Sequence, residues 1–166
     1  MTISHISGDV TELVKSTQHR VVAHIVNDAG KYGAGVSGAI AKAWPEAEEY
    51  YRRQYKAARH NVKLGCVLWT GAYDNVMVAQ MVAQRGVRSS ANAKPIRYDA
   101  LEECLTKLAR GARVLPDADA VRDPTRNVSI HMPRIGSSLA GGDWGIIEPL
   151  IDEVLWDLQV FIYTPK

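Results

Sequence analysis

The chain has 166 residues, with 20 Lys+Arg against 18 Asp+Glu, a formal net charge of +2 and 46% hydrophobic residues. That composition excludes a mainly disordered chain and fits one soluble domain, residues 1–166, with a sizeable core. It also excludes a membrane span, since the most apolar stretch, Val76–Ala83, is interrupted by Gln80 and falls well short of the ~20 residues a spanning helix needs.

No basic start followed by an apolar run marks Met1–Val10 as a signal peptide. Cys66 and Cys104 have neither metal-ligand spacing nor a bridge framework, so a cytoplasmic setting without cofactor or metal is expected. Charge is uneven along the chain. Residues 51–97 hold nine basic side chains and one acid, Asp74, giving +8 there and −6 elsewhere. This segment is either a set of solvated faces or a surface favouring an anionic ligand such as nucleic acid.

In chain order, the predicted strands are Ile3–Ile6, Val21–Val26, Leu64–Trp69, Val76–Ala83, Val128–Met132 and Leu158–Tyr163. Most are continuous apolar runs, the pattern of strands covered on both faces. Between them the periodicity predicts a short helix near Val10–Lys15 and another at Val36–Ala43. A third starts at Pro45 and runs to about Arg59. A fourth, Arg97–Arg110, has Leu101, Cys104, Leu105 and Leu108 on one stripe. The last begins near Asp143, an expected N-cap, and contains Pro149, which removes one helix hydrogen bond. Residues 111–127, with Leu115-Pro116-Asp117 and Asp123-Pro124, are expected to form a mobile loop. Alternation of strands and helices makes the fold class α/β.

Two glycine-rich segments share one setting, each following a strand and preceding a helix. The first is Asn27-Asp28-Ala29-Gly30-Lys31-Tyr32-Gly33-Ala34-Gly35; the second is Gly136-Ser137-Ser138-Leu139-Ala140-Gly141-Gly142. Glycine lets the backbone turn sharply and approach a ligand, and a helix N-terminus offers free N–H groups with a positive dipole end. Two such loops in one small domain point to a cleft that clamps a phosphate or pyrophosphate. Neither loop has P-loop or dinucleotide-fingerprint spacing.

Gly8-Asp9-Val10, His24-Ile25-Val26-Asn27, Tyr32-Gly33-Ala34-Gly35-Val36, Met132-Pro133-Arg134-Ile135-Gly136 and Gly142-Asp143-Trp144 occur in this order. Together they resemble the macro domain family, in the branch of terminal ADP-ribose protein glycohydrolase and the yeast ADP-ribose 1″-phosphate phosphatase. The resemblance runs from about Ile3 to Tyr163. It implies a three-layer α/β/α fold around a six-stranded mixed sheet that binds ADP-ribose, free or attached to protein or nucleic acid. By this resemblance Asp9 accepts from the adenine amino group, with Val10 alongside, and Asn27 lies at the distal ribose. Gly33, Ala34, Gly35 and Val36 form the first phosphate loop, and Gly136, Ser137, Ser138, Leu139 and Ala140 the second. His24 is either a core histidine or, as in the phosphatase, a functional one. Asp9 and Asp143 are also read as helix caps.

The chain departs from the glycohydrolase pattern where that enzyme has a lysine and an aspartate. Gln84 or Arg85 stands for the first and Ala140 for the second. The expected activity is therefore hydrolysis of an ADP-ribosyl linkage at the distal ribose (a protein ester, O-acetyl-ADP-ribose or a nucleic-acid linkage) by direct water attack, with Asn27, Asp28, Asp143 and His24 as candidate catalytic residues. The alternatives are a non-catalytic reader, the phosphatase, and a nucleic-acid binder acting through residues 51–97.

Overall fold

A computed structural model describes residues 3–13, 18–115 and 128–166. Six strands, β1 (Ile3–Ser7), β2 (Arg20–Asn27), β3 (Val67–Gly71), β4 (Val76–Gln84), β5 (Ser129–Pro133) and β6 (Gln159–Thr164), form one sheet in the order β1-β6-β5-β2-β4-β3. Every neighbouring pair is parallel except β3, which closes one edge antiparallel to β4. The helices are α1 (Val36–Ala43), α2 (Pro45–Ala57), α3 (Tyr98–Val114) and α4 (Trp144–Val154), with a 3-10 turn at Arg59–Val62.

The period-two geometry of a strand divides the core. Val21 and Ala23 of β2 join Leu101, Leu105 and Leu108 of α3 and Ile147 and Ile151 of α4. Val22 joins Ile40 and Trp44 on the opposite face, and Val26 packs there with Tyr51. The result is the expected three-layer α/β/α fold, with α3 and α4 on one side of a six-stranded mixed sheet and α1 and α2 on the other. Pro45 opens α2, and Asp143 caps α4 by accepting the Gly145 N–H at 2.8 Å. Pro149 lies inside α4, which runs on to Val154.

Three expected boundaries are corrected. Residues 111–114 are the last turn of α3, not loop. Gly111 is there for contact, because a Cβ on it would lie 2.4 Å from the Trp69 ring of β3, while Ala112 continues the buried stripe. The rest of that predicted loop, 116–127, falls outside the described residues. β3 starts at Val67 rather than Leu64, since Gly65 (φ +92°) turns the chain and its carbonyl receives Lys107 Nζ at 2.8 Å. The predicted first helix is, over residues 10–13, only a turn held by Asp9, and residues 14–17 fall outside the described residues.

Because β2 and β5 are adjacent and parallel, both glycine loops leave the same edge of the sheet side by side. β1, β6 and β4 also end at that edge. In parallel α/β sheets this carboxyl edge is where ligands bind.

Candidate functional site

Loop 1, residues 28–35, is built by Asn27. Its Oδ1 accepts from the Ala29 N–H (3.0 Å), the Lys31 N–H (3.2 Å) and the Tyr51 hydroxyl (3.0 Å), while Nδ2 donates to the Lys31 carbonyl (2.7 Å). Further along, Gly33 donates its N–H to Ser37 Oγ, and the Ser37 hydroxyl donates to the Ala34 carbonyl. Gly35 occupies the N-cap of α1 at φ +57° and supplies no side-chain cap. The first amides of α1 thus open towards the cleft without a capping side chain.

Loop 2 closes on itself through Gly142 N–H to the Gly136 carbonyl, 2.7 Å, and Gly141 N–H to the Ser138 carbonyl, 2.9 Å. Gly136 (φ +71°) is wedged so tightly that a Cβ would sit 2.5 Å from Ile96 Cδ1. Leu139 reaches across to loop 1, since a Cβ on Gly35 would lie 3.1 Å from Leu139 Cδ1.

Between the loops runs a cleft of 1090 Å³, extending along the sheet edge from Asp9 and Val10 after β1 to Gln84 and Arg88 beyond β4. Its lining includes the predicted His24, Asn27, Ala34, Gly35 and Val36, and from loop 2 Gly136, Ser138, Leu139 and Ala140. Gly33 and Ser137 are in the loops but not in the lining, and Ser137 Oγ instead donates to the Arg134 carbonyl at 2.7 Å.

Two of the four candidate catalytic residues stand outside the cleft. Asp28 Oδ1 accepts the Gly86 N–H at 2.8 Å, tying loop 1 to the segment after β4. Asp143 is spent on the α4 cap, and its own N–H donates to the Tyr98 oxygen at 2.9 Å. Asn27 borders the cleft, but its amide is engaged in holding loop 1, a loop-building role rather than a free catalytic one. At the far end Asp9 accepts from the Thr11 N–H (2.8 Å) and hydroxyl (2.7 Å), and these bonds lower its pKa. Its carboxylate faces the cleft as an acceptor.

Sequence reasoning missed the basic lining. Lys31, Arg88, Arg134 and Lys166 line the cleft together with Asp9 and Glu12, and the Arg134 guanidinium lies 5.0 Å from the Trp144 ring centre. Lys31 lies inside the first glycine segment and Arg134 just before the second, which was the available signal. Of the nine basic side chains of segment 51–97, Arg88 alone is among the lining residues. Arg52 pairs with Glu48, Arg53 stacks over Tyr50, and Arg97 donates to three backbone carbonyls.

Two buried histidines lie on the α1 side of the sheet. Burial pushes His24 down to about 4, against the opposing effect of its hydrogen bond to Gln80 Oε1. Burial and the Arg20 charge push His131 down to about 4 as well. His131 links Ser129 Oγ (2.8 Å) to the Tyr163 hydroxyl (2.7 Å) and stacks on Phe161, a network not read from the sequence. Both pKa values fall on folding, so the unfolded chain binds more protons between about 4 and 6.5. The stability is therefore complete above the ordinary histidine pKa and is lost as pH falls towards 4, by at most about 3 kcal/mol per histidine. Urea unfolding should show a midpoint that drops from pH 7 to pH 4.5, with a flatter profile in His24→Gln. A midpoint independent of pH over that range would contradict buried neutral histidines.

Fold and cleft thus define an α/β/α domain with two glycine loops paired at the carboxyl edge of its sheet. The Macro domain model matches residues 23–151, and the chain belongs to that family. A macrodomain protein from Streptomyces coelicolor is 32% identical, with 98% of each chain covered and a TM-score of 0.78. A protein of unknown function from Bacteroides thetaiotaomicron is 36% identical over 100% of this chain and 99% of its own, with a TM-score of 0.83. Among curated relatives, an ADP-ribose 1″-phosphate phosphatase of Lodderomyces elongisporus is 23% identical over 98% of this chain and 99% of its own length. Among the described residues no helix is long and apolar enough to cross a membrane.

Proposed function

We propose that the cleft binds ADP-ribose and that the protein hydrolyses an ADP-ribosyl linkage at the distal ribose. The observation that carries this reading is the pair of glycine loops that leave adjacent parallel strands and line one cleft, an arrangement suited to an anion. The diphosphate lies between the loops, adenine at the Asp9 end, and the distal ribose at the β2–β4 end, near Asn27 and Gln84. Lys31, Arg88 and Arg134 add positive charge. The length-spanning phosphatase relative supports ADP-ribose as the ligand core.

Water attacks C1″ of the ribose, forming the new C–O bond as the acyl or nucleic-acid oxygen leaves. Fixed amide dipoles and positioning supply the acceleration. Gln84 or Arg85 stands where the glycohydrolase has its lysine and Ala140 where it has its aspartate, so no lysine adduct forms. Borohydride added during turnover should trap no ADP-ribose on the protein; a trapped lysine adduct would contradict the water route. A second reading, removal of a phosphate from the distal ribose, is favoured by the phosphatase relative. Release assays on ester-linked ADP-ribose and on the 1″-phosphate separate the two.

Asp9→Ala tests the orientation. It should weaken ADP-ribose about tenfold, the order expected for one hydrogen bond to a charged group. Ribose 5-phosphate, which lacks adenine, should lose little. Equal losses in calorimetric titrations would place adenine elsewhere.

A further inference from the structure

Between β4 and α3 the chain builds a hairpin over residues 85–94 that the proposed reaction leaves almost unused. Gln84 pairs with Ile96 antiparallel, the Arg85 N–H donates to the Pro95 carbonyl at 2.8 Å, and Ser89 and Asn92 exchange backbone bonds of 3.1 and 3.0 Å across the tip. Asn92 Nδ2 ties the first arm down, donating to the carbonyls of Arg85 (2.8 Å) and Val87 (3.2 Å). Both glycine loops brace the hairpin. Asp28 of loop 1 accepts the Gly86 N–H, and Gly141 of loop 2 fits so closely that a Cβ on it would lie 2.8 Å from the Ala93 carbonyl oxygen. Arg97 Nη1 holds the returning arm through the carbonyls of Lys94, Pro95 and Ile96.

This fixed platform carries charge of one sign. No Asp or Glu occurs between Asp74 and Asp99, whereas residues 85–94 include Arg85, Arg88 and Lys94. All three are exposed, and among the described residues their side chains have no ion-pair partner. Held on one short hairpin they repel one another, and a polyanion relieves all three while shedding its own counterions. Gly86, Ser89, Ser90, Ala91 and Ala93 stand between the cations, small enough to let a charged backbone come close. A nucleic-acid strand brings one phosphate per nucleotide and needs no side-chain pocket. An acidic peptide would seek apolar contacts as well, and Val87 is the one large exposed apolar side chain on the hairpin. Val87 and Arg88 also line the cleft at its β2–β4 end. Whatever is joined to a ribose at that end leaves the cleft across the hairpin.

We propose that the 85–94 hairpin is a phosphate-backbone contact surface, with Arg85, Arg88 and Lys94 as its contacts, and that the partner presented to the cleft is a nucleic-acid strand carrying the ADP-ribosyl group. The linkage half of this inference rests on the ADP-ribose reading; the strand-binding half does not.

The test is fluorescence anisotropy of the full chain with a short single-stranded oligothymidylate that carries no ADP-ribose, between about 50 and 200 mM salt. Log affinity should fall with log salt at a slope of about −2, the value for three phosphate contacts on a single strand. Ser90→Glu with Lys94→Glu places carboxylates on the hairpin outside the cleft lining. It should weaken the oligonucleotide at least tenfold at the lower salt and leave the calorimetric affinity for ADP-ribose unchanged. Lys42→Glu with Arg110→Ser makes the same change in net charge at the far ends of α1 and α3, and should cost less than threefold. An oligonucleotide that does not bind at the lower salt, or equal losses in the two double variants, would overturn the proposal. So would tighter binding of a polyglutamate peptide of equal charge. If ADP-ribose itself does not bind, the cleft reading and the linkage half fall together. The oligonucleotide titrations then uphold or overturn the hairpin surface by themselves.

Discussion

Gly35→Glu is expected to fold and to bind no ADP-ribose, a loss of at least about a thousandfold, or some 4 kcal/mol. Gly35 is where loop 1 becomes α1, at φ +57° and ψ −128°, outside the left-handed helical well, a backbone conformation that costs an L-residue about 1–3 kcal/mol. Its Cβ would stand 3.1 Å from Leu139 Cδ1, the side chain with which loop 2 reaches across the cleft. Leu139 is half exposed and can swing aside, so the fold tolerates the added atom better than the ligand does. The carboxylate then enters the space where the α1 N-terminus and the loop amides are arranged for anions. It occupies the phosphate position and repels the diphosphate. Calorimetry measures the loss, and circular dichroism checks the fold. Unchanged affinity in a folded Gly35→Glu protein would remove the cleft from the account.

Asn27→Ala carries the second large effect, and here geometry revises what the sequence suggested. Read as a free amide at the distal ribose, Asn27 would lower turnover and leave binding nearly intact. In the fold its Oδ1 and Nδ2 hold Ala29, Lys31 and Tyr51. Truncation orphans two loop amides and one carbonyl together, while the Tyr51 hydroxyl keeps its 2.6 Å bond to the backbone carbonyl of residue 27, so loop 1 loses its shape. The expected result is a destabilisation of about 2–4 kcal/mol in urea unfolding, accompanied by a large loss of ADP-ribose affinity. Asn27→Asp keeps the Oδ1 acceptor and should fall between. A variant of normal stability and affinity but low turnover would restore the catalytic reading of Asn27.

The contrast shows where the sequence is informative. Strands such as β2 and β4 are legible because burial on both faces demands unbroken apolar runs. The glycine loops are legible because positive φ at Gly30, Gly35, Gly136 and Gly141 selects glycine. Gly111 misleads for the opposite reason, since it serves a close approach to Trp69 inside a helix and reads as a loop. Side-chain roles are harder. Asp28 looks like a free acid until its partner, the Gly86 amide 58 residues away, is brought beside it. The bond between Gln80 and His24 joins two strands 56 residues apart, and the Ser129–His131–Tyr163 chain depends on β5–β6 pairing. Local pattern carries none of these pairings.

The central claim, that ADP-ribose lies between the two glycine loops, is tested most directly by an amide NMR titration of the wild-type protein. The account predicts saturable one-to-one shifts at Gly35, Val36, Ser138 and Leu139, with Asp9 and Val10 moving in step. No shifts at millimolar ADP-ribose, or shifts confined to the exposed residues of the basic segment 51–97, would contradict it.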